Sequence, residues 1–113
     1  MRYFKTEEFS CKHTGENKMN PEFLELIDEL RHRCAFPFVI TSGYRSPNHP
    51  IEAAKSVPGT HANGIAADIK IEDGNTRFKI LKQAMALGFT GIGIAPNFIH
   101  VDIRETTPVI WTY

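Results

Sequence analysis

The segment SVPGTHANGIAADIKI, Ser56 to Ile71, sets His61 in a glycine-flanked turn and places Asp68 seven residues later, inside an otherwise apolar run. A second histidine, His100, lies in FIHVDIR, Phe98 to Arg104. Two imidazoles and one carboxylate can give a zinc ion three protein ligands and leave a fourth position open for water. Zinc held that way lowers the pKa of its water to about 7, which makes hydroxide available at neutral pH. Gly64, between His61 and Asp68, lets the turn bring both side chains to one point. Asp102 follows His100 by two residues, so on a strand it shares that face at roughly 6.6 Å along the chain. That distance suits a partner of the metal ligand or a base acting through water. Each residue also has a plainer reading: His61 as a turn residue, Asp68 paired with Lys70 or Arg104 on a sheet surface, His100 as a half-buried strand histidine. Spacing by itself leaves both readings open.

The elements that must position these groups follow from periodicity. Asn20 to Cys34 reads as a helix, with Asn20 as cap and Pro21 at the first helical position. Phe23, Ile27, Leu30 and Cys34 recur on one stripe, with Leu26 beside them. Phe38 to Thr41 reads as a short buried strand ended by Gly43. Ser46 to Pro58 is irregular, with one helical turn around Ile51 to Lys55. GIAADIKI reads as a strand with Ile65, Ala67, Ile69 and Ile71 on one face and Ala66, Asp68 and Lys70 on the other. A second helix follows, capped by Asn75 or Thr76, with a stripe of Phe78, Leu81 and Met85 and a stop at Gly88. Gly91–Ala95 and Phe98–Arg104 then read as a hairpin turning at Pro96-Asn97. In its second strand Phe98, His100, Asp102 and Arg104 share one face and Ile99, Val101 and Ile103 the other. The predicted class is α+β: a small, mainly antiparallel sheet with two main helices on one side.

The chain has 113 residues, and a single domain over 1–113 is expected. Lys plus Arg and Asp plus Glu number 13 each, for a net charge of zero. That balance argues against a nucleic-acid or membrane partner held by bulk charge. No apolar stretch reaches the length of a membrane-spanning helix, and the first fifteen residues carry no apolar signal-peptide core. Synthesis in the cytoplasm, with action elsewhere after release or as part of a virion, is the expectation. The two cysteines, Cys11 and Cys34, lack paired spacing and are expected as reduced thiols, a bridge between them being the alternative. Cys11 and His13 alone are too few ligands for a second metal site.

Three motifs occur in order: SGYRSP at Ser42–Pro47, GTHANGIAAD at Gly59–Asp68 and GIGIAPNFIHVDIR at Gly91–Arg104. Together with the N-terminal YFKTEEFSCKHTGENKMNPEFLELIDELR and the late Trp111, they resemble the M15 family of zinc D-Ala-D-Ala carboxypeptidases and peptidoglycan endopeptidases. The likeness is to its compact phage and bacterial branch and covers nearly the whole chain. It implies a fold like that of the DD-peptidases and hedgehog domains, one zinc per chain held by His61, Asp68 and His100, and peptidoglycan peptides as substrate. It also implies that Arg45 points into the site to hold a carboxylate or developing oxyanion, with Ser42 and Tyr44 lining the cleft or shaping the turn that aims Arg45. His49, in the same loop, is expected to face solvent. Well-known members carry an Asp or Glu three residues before the last zinc histidine as general base; here that position is Asn97. The compact branch shows the pattern matched by His100-Val101-Asp102, which makes Asp102 the available carboxylate, as base or as orienting partner of His100 or Arg104. Hedgehog domains imply an alternative, a zinc-binding module without catalysis, and a structural virion protein is a further one. A monomer is expected.

Overall fold

The computed structural model describes residues 1–113. A five-stranded sheet runs in the order β1-β2-β4-β3-β5, with β1 at Ile40–Ser42, β2 at Ala66–Lys70, β3 at Gly91–Ile94, β4 at Phe98–Asp102 and β5 at Val109–Thr112. All neighbours are antiparallel except β3 and β5, which run parallel. The helices are α1 at Pro21–Cys34, the single turn α2 at Pro50–Ala53 and α3 at Gly74–Leu87, with a short 3-10 turn at Thr6–Phe9. The α+β expectation therefore holds, with one strand more than periodicity predicted.

Helix α1 forms where expected and for the expected reasons. The Asn20 side chain accepts a hydrogen bond from the Phe23 N–H at 3.1 Å, Pro21 fills the first position, and Ala35 ends the helix in the left-handed conformation. Phe23, Ile27, Leu30 and Cys34 are buried. They meet Ile40, Ala67, Ile69, Ile92, Ile99 and Val101, which come from one face of the sheet, in a 17-residue core. Each fully buried side chain of this size contributes about 1.5–3 kcal/mol. The alternation read in β2 and β4 is thus real, and it leaves Asp68, His100 and Asp102 on the face away from the core.

Helix α3 differs from expectation at both its start and its buried stripe. Its cap is Asp73, whose carboxylate accepts from the Thr76 N–H at 2.7 Å, rather than Asn75 or Thr76. Phe78 and Met85 are 64% and 57% exposed. The stripe turned to the core is Ile80 and Ala84, with Leu81 and Leu87 at its margins. Both stripes have helical spacing; packing selects the second, because α3 lies against α1 and small Ala84 permits a close approach. Strand β5 was not predicted. Its residues lie on an edge, mostly exposed, and carry none of the alternation that marks β2 and β4. Both cysteines are free and buried. No helix is long and apolar enough to cross a membrane.

The N-terminus is pinned to α1 through Asp28, whose carboxylate accepts from the backbone N–H groups of Arg2 and Tyr3 and from Arg2 Nε at 3.0–3.1, 2.9 and 3.1 Å. Burial works to raise the Asp28 pKa, but these donors outweigh it and hold it below the ordinary value. A depressed folded-state pKa stabilises the fold above the unfolded value and is lost as pH falls through the folded one. Replacing Asp28 by alanine is expected to lower the unfolding free energy by about 1–3 kcal/mol near neutral pH. The deficit should shrink as pH drops below the ordinary carboxylate value of about 3.9. Urea unfolding of both proteins across that range checks it, and a pH-independent deficit would contradict the assignment.

Candidate metal centre

One row of residues crosses the open face of the sheet from edge to edge. Ser42 on β1 stands opposite Asp68 on β2, Asp68 opposite His100 on β4, His100 opposite Gly93 on β3, and Gly93 opposite Trp111 on β5. His61 reaches this row from the turn before β2. That turn depends on Gly64, which has φ +72° and packs so tightly on the chain entering α1 that a Cβ would sit 2.2 Å from the Lys18 carbonyl oxygen. The Gly64 carbonyl in turn accepts from the Asn20 N–H at 2.8 Å, tying the turn to the cap of α1.

His61, Asp68 and His100 are brought together: each offers a ligand atom, all within 4.8 Å of one another, and all three residues are buried. Asp68 Oδ1 lies 3.3 Å from His61 Nε2 and 3.1 Å from His100 Nδ1. The far nitrogen of each ring is committed elsewhere. His61 Nδ1 is 2.8 Å from the Gly43 carbonyl oxygen, which can only accept, so this nitrogen carries the proton and Nε2 is free. His100 Nε2 is 2.7 Å from Asp102 Oδ2, so His100 donates there and its Nδ1 faces Asp68. Two free imidazole nitrogens and a carboxylate oxygen converging on one point, each ring locked by an outer acceptor, fit a metal ion.

The electrostatics agree. Burial works to raise the Asp68 pKa, but the hydrogen bonds and charge of His100 and His61 bring it down to about 2. Burial opposes protonation of His100, yet Asp102 and Asp68 outweigh it and raise its pKa. A metal ion bound at this point takes the place of the proton on the His100 nitrogen that faces Asp68.

Asp102 is 0% exposed and its carboxylate is saturated. Besides His100 it accepts from the Arg104 backbone N–H at 3.0 Å, from Arg104 Nε at 3.0 Å and from its terminal nitrogen at 2.6 Å. Arg104 also lies over the Trp111 ring, 4.9 Å from its centroid. Two glycines one alternation apart on β3 make room for this arrangement. A Cβ at Gly91 would sit 2.2 Å from both Asp102 carboxylate oxygens, and one at Gly93 would sit 2.7 Å from the Trp111 ring. That clearance lets Trp111 reach across the strand to His100, with ring centroids 5.1 Å apart. The signal was available in the sequence: Gly-x-Gly on one strand of a hairpin, facing His-x-Asp on the other.

The group lies in a cleft of about 1290 Å³. Arg45 is on its wall, with guanidinium nitrogens 3.8 Å from Asp68 and 3.7 Å from Glu52. Phe98, Trp111 and Tyr113 form an aromatic side. Of the other residues singled out from sequence, Ser42 and Tyr44 are not on the wall. Tyr44 is buried, with its backbone N–H bonded to the Phe9 carbonyl. His49 caps α2 by accepting from the Ile51 N–H at 3.1 Å. Asn97 lies exposed in the hairpin turn. Glu22 and Glu105 are the carboxylates on the wall besides Asp68.

Fold and site together define a candidate metal centre of two histidines and one aspartate, set on an α+β sheet and open to a cleft of about 1290 Å³. The chain matches the Peptidase M15 family over residues 2–102 and belongs to it. It is thus placed among metallopeptidases. No match to a curated protein was found.

Proposed function

We propose that the protein is a zinc-dependent peptidase that hydrolyses amide bonds in peptidoglycan stem or cross-bridge peptides. The observation that carries this reading is the convergence of His61 Nε2, His100 Nδ1 and Asp68 on one point inside the cleft, within a Peptidase M15 chain. His61, Asp68 and His100 would hold the zinc, whose chemistry when bound is to polarise a carbonyl and acidify water. The chain's own residues do the rest. Gly43 and Asp102 hold the outer protons of the two histidines and so fix which nitrogens face the site. Arg45, a permanent cation on the cleft wall, holds a substrate carboxylate or the negative charge that develops on the attacked carbonyl. Ser42 and Tyr44 shape the turn that aims it. The cleft, about 1290 Å³ and open to solvent, has room for a peptide beside the three ligands.

Of the two roles expected for Asp102, the orienting one has the better support, because its carboxylate is fully enclosed and fully bonded. The same enclosure gives weight to a second reading, a zinc-binding module without turnover, since Asn97 supplies no carboxylate either. One digest separates them. Purified peptidoglycan treated with zinc-loaded protein is expected to release fragments whose new termini, read by mass spectrometry, vanish when a chelator is present. Absence of new termini across walls of different cross-bridge type, with zinc bound, would favour the binding module.

A further inference from the structure

Arg45 is held between two carboxylates of different purpose. One belongs to Asp68, whose Oδ1 faces both histidines while Oδ2 lies 3.8 Å from the Arg45 guanidinium. The other belongs to Glu52 on the short helix α2, 3.7 Å from the guanidinium's other terminal nitrogen. Glu52 has no place in the sequence motifs, yet its side chain is only 1% exposed. It is fixed by the Lys55 ammonium at 2.7 Å and the Gly59 N–H at 3.0 Å, two residues before His61. A buried carboxylate is kept charged only where cations and donors answer it, and here the answering cations are two residues of the cleft wall, Arg45 and Lys55.

We propose that Glu52 is a positioning residue that holds Arg45 off Asp68 and so keeps that carboxylate available to the metal. The inference rests on the reading of His61, Asp68 and His100 as metal ligands. A guanidinium cannot shed its charge, and it forms paired hydrogen bonds to a carboxylate wherever one is within reach. Without the charge of Glu52, Asp68 is the one carboxylate left beside Arg45. The two would close into a direct pair that occupies Oδ2, and an unneutralised cation would stand beside the dication's site. Both effects act against metal binding. Glu52 thus allows one wall to carry a cation meant for substrate next to a ligand meant for metal.

The test is a double-mutant cycle on zinc affinity, with Zn²⁺ alone as the probe and a chromophoric chelator as competitor. Glu52→Gln keeps an acceptor for the Gly59 N–H and removes the charge. It is expected to weaken zinc binding roughly 10- to 100-fold, the range for partners of metal ligands. Arg45→Ala in the Glu52→Gln background is expected to recover most of that loss, because the competitor for Asp68 is then gone. An unchanged affinity in Glu52→Gln overturns the proposal. So does a loss that Arg45→Ala fails to recover, which would make Glu52 a brace for the loop alone. A wild-type chain that takes up no zinc would instead overturn the metal-centre reading itself, and this inference with it.

Discussion

Replacing Gly91 by alanine is expected to destabilise the protein by about 3 kcal/mol or more and to weaken metal binding at least tenfold. The backbone at Gly91 is not in a conformation reserved for glycine, so the effect is one of space. An added Cβ would lie 2.2–2.4 Å from the three carboxylate atoms of Asp102, the end of a short side chain tied down by His100 and Arg104. Asp102 would have to leave a site where it is wholly enclosed and where His100 and Arg104 both donate to it. Its displacement would strand buried polar groups and release the His100 ring from the orientation that presents Nδ1 to Asp68. Gly74→Ala is the natural control, because a Cβ there meets nothing within 4 Å. Urea unfolding gives the stability change and chelator competition the affinity change. A Gly91→Ala protein with wild-type affinity would show that Asp102 does not orient His100.

Replacing Asp68 by asparagine should abolish metal uptake while preserving the shape of the site. Asp68 is the sole carboxylate of the three-ligand group, and its Oδ1 lies against both free imidazole nitrogens. Asparagine fills the same volume but brings no charge to balance a dication. For the wild type, zinc at a hundredfold excess over its dissociation constant should stabilise the fold by about 2.7 kcal/mol, by mass action alone. In Asp68→Asn that zinc-dependent gain should disappear. Thermal unfolding with and without zinc, together with the measured metal content, reads both. A variant that still gained stability from zinc would place the metal somewhere other than this centre.

What could be read from sequence was what the backbone period and a few local devices decide. A side chain's face on a helix or strand follows from its position, so the Phe23–Cys34 stripe and the alternation through Ala67, Ile69, Ile99 and Val101 identified the core face. The same alternation put Asp68 and His100 on the opposite face. Asn20, Pro21 and Gly88 marked helix ends because their chemistry acts within one turn. The three candidate ligands themselves were legible as residue types, and the ordered motifs joined them into one expectation.

What tertiary structure alone decided was everything that depends on which elements meet. Strand β5 exists because β3 offers it an edge, not because Val109–Thr112 alternates, and its arrival brings Trp111 to His100. Helix α3 had two stripes of helical spacing, and only its contact with α1 chose Ile80 and Ala84 over Phe78 and Met85. The role of Asp102 turned on the clearance left by a glycine on a neighbouring strand. Glu52, far from the ligands by motif, is joined to the site from behind the cleft wall through its ion pair with Arg45. Residue type and period set which groups face the cleft; distances of 3–4 Å between groups remote in sequence set which of them act together, and those distances exist only once the chain has packed.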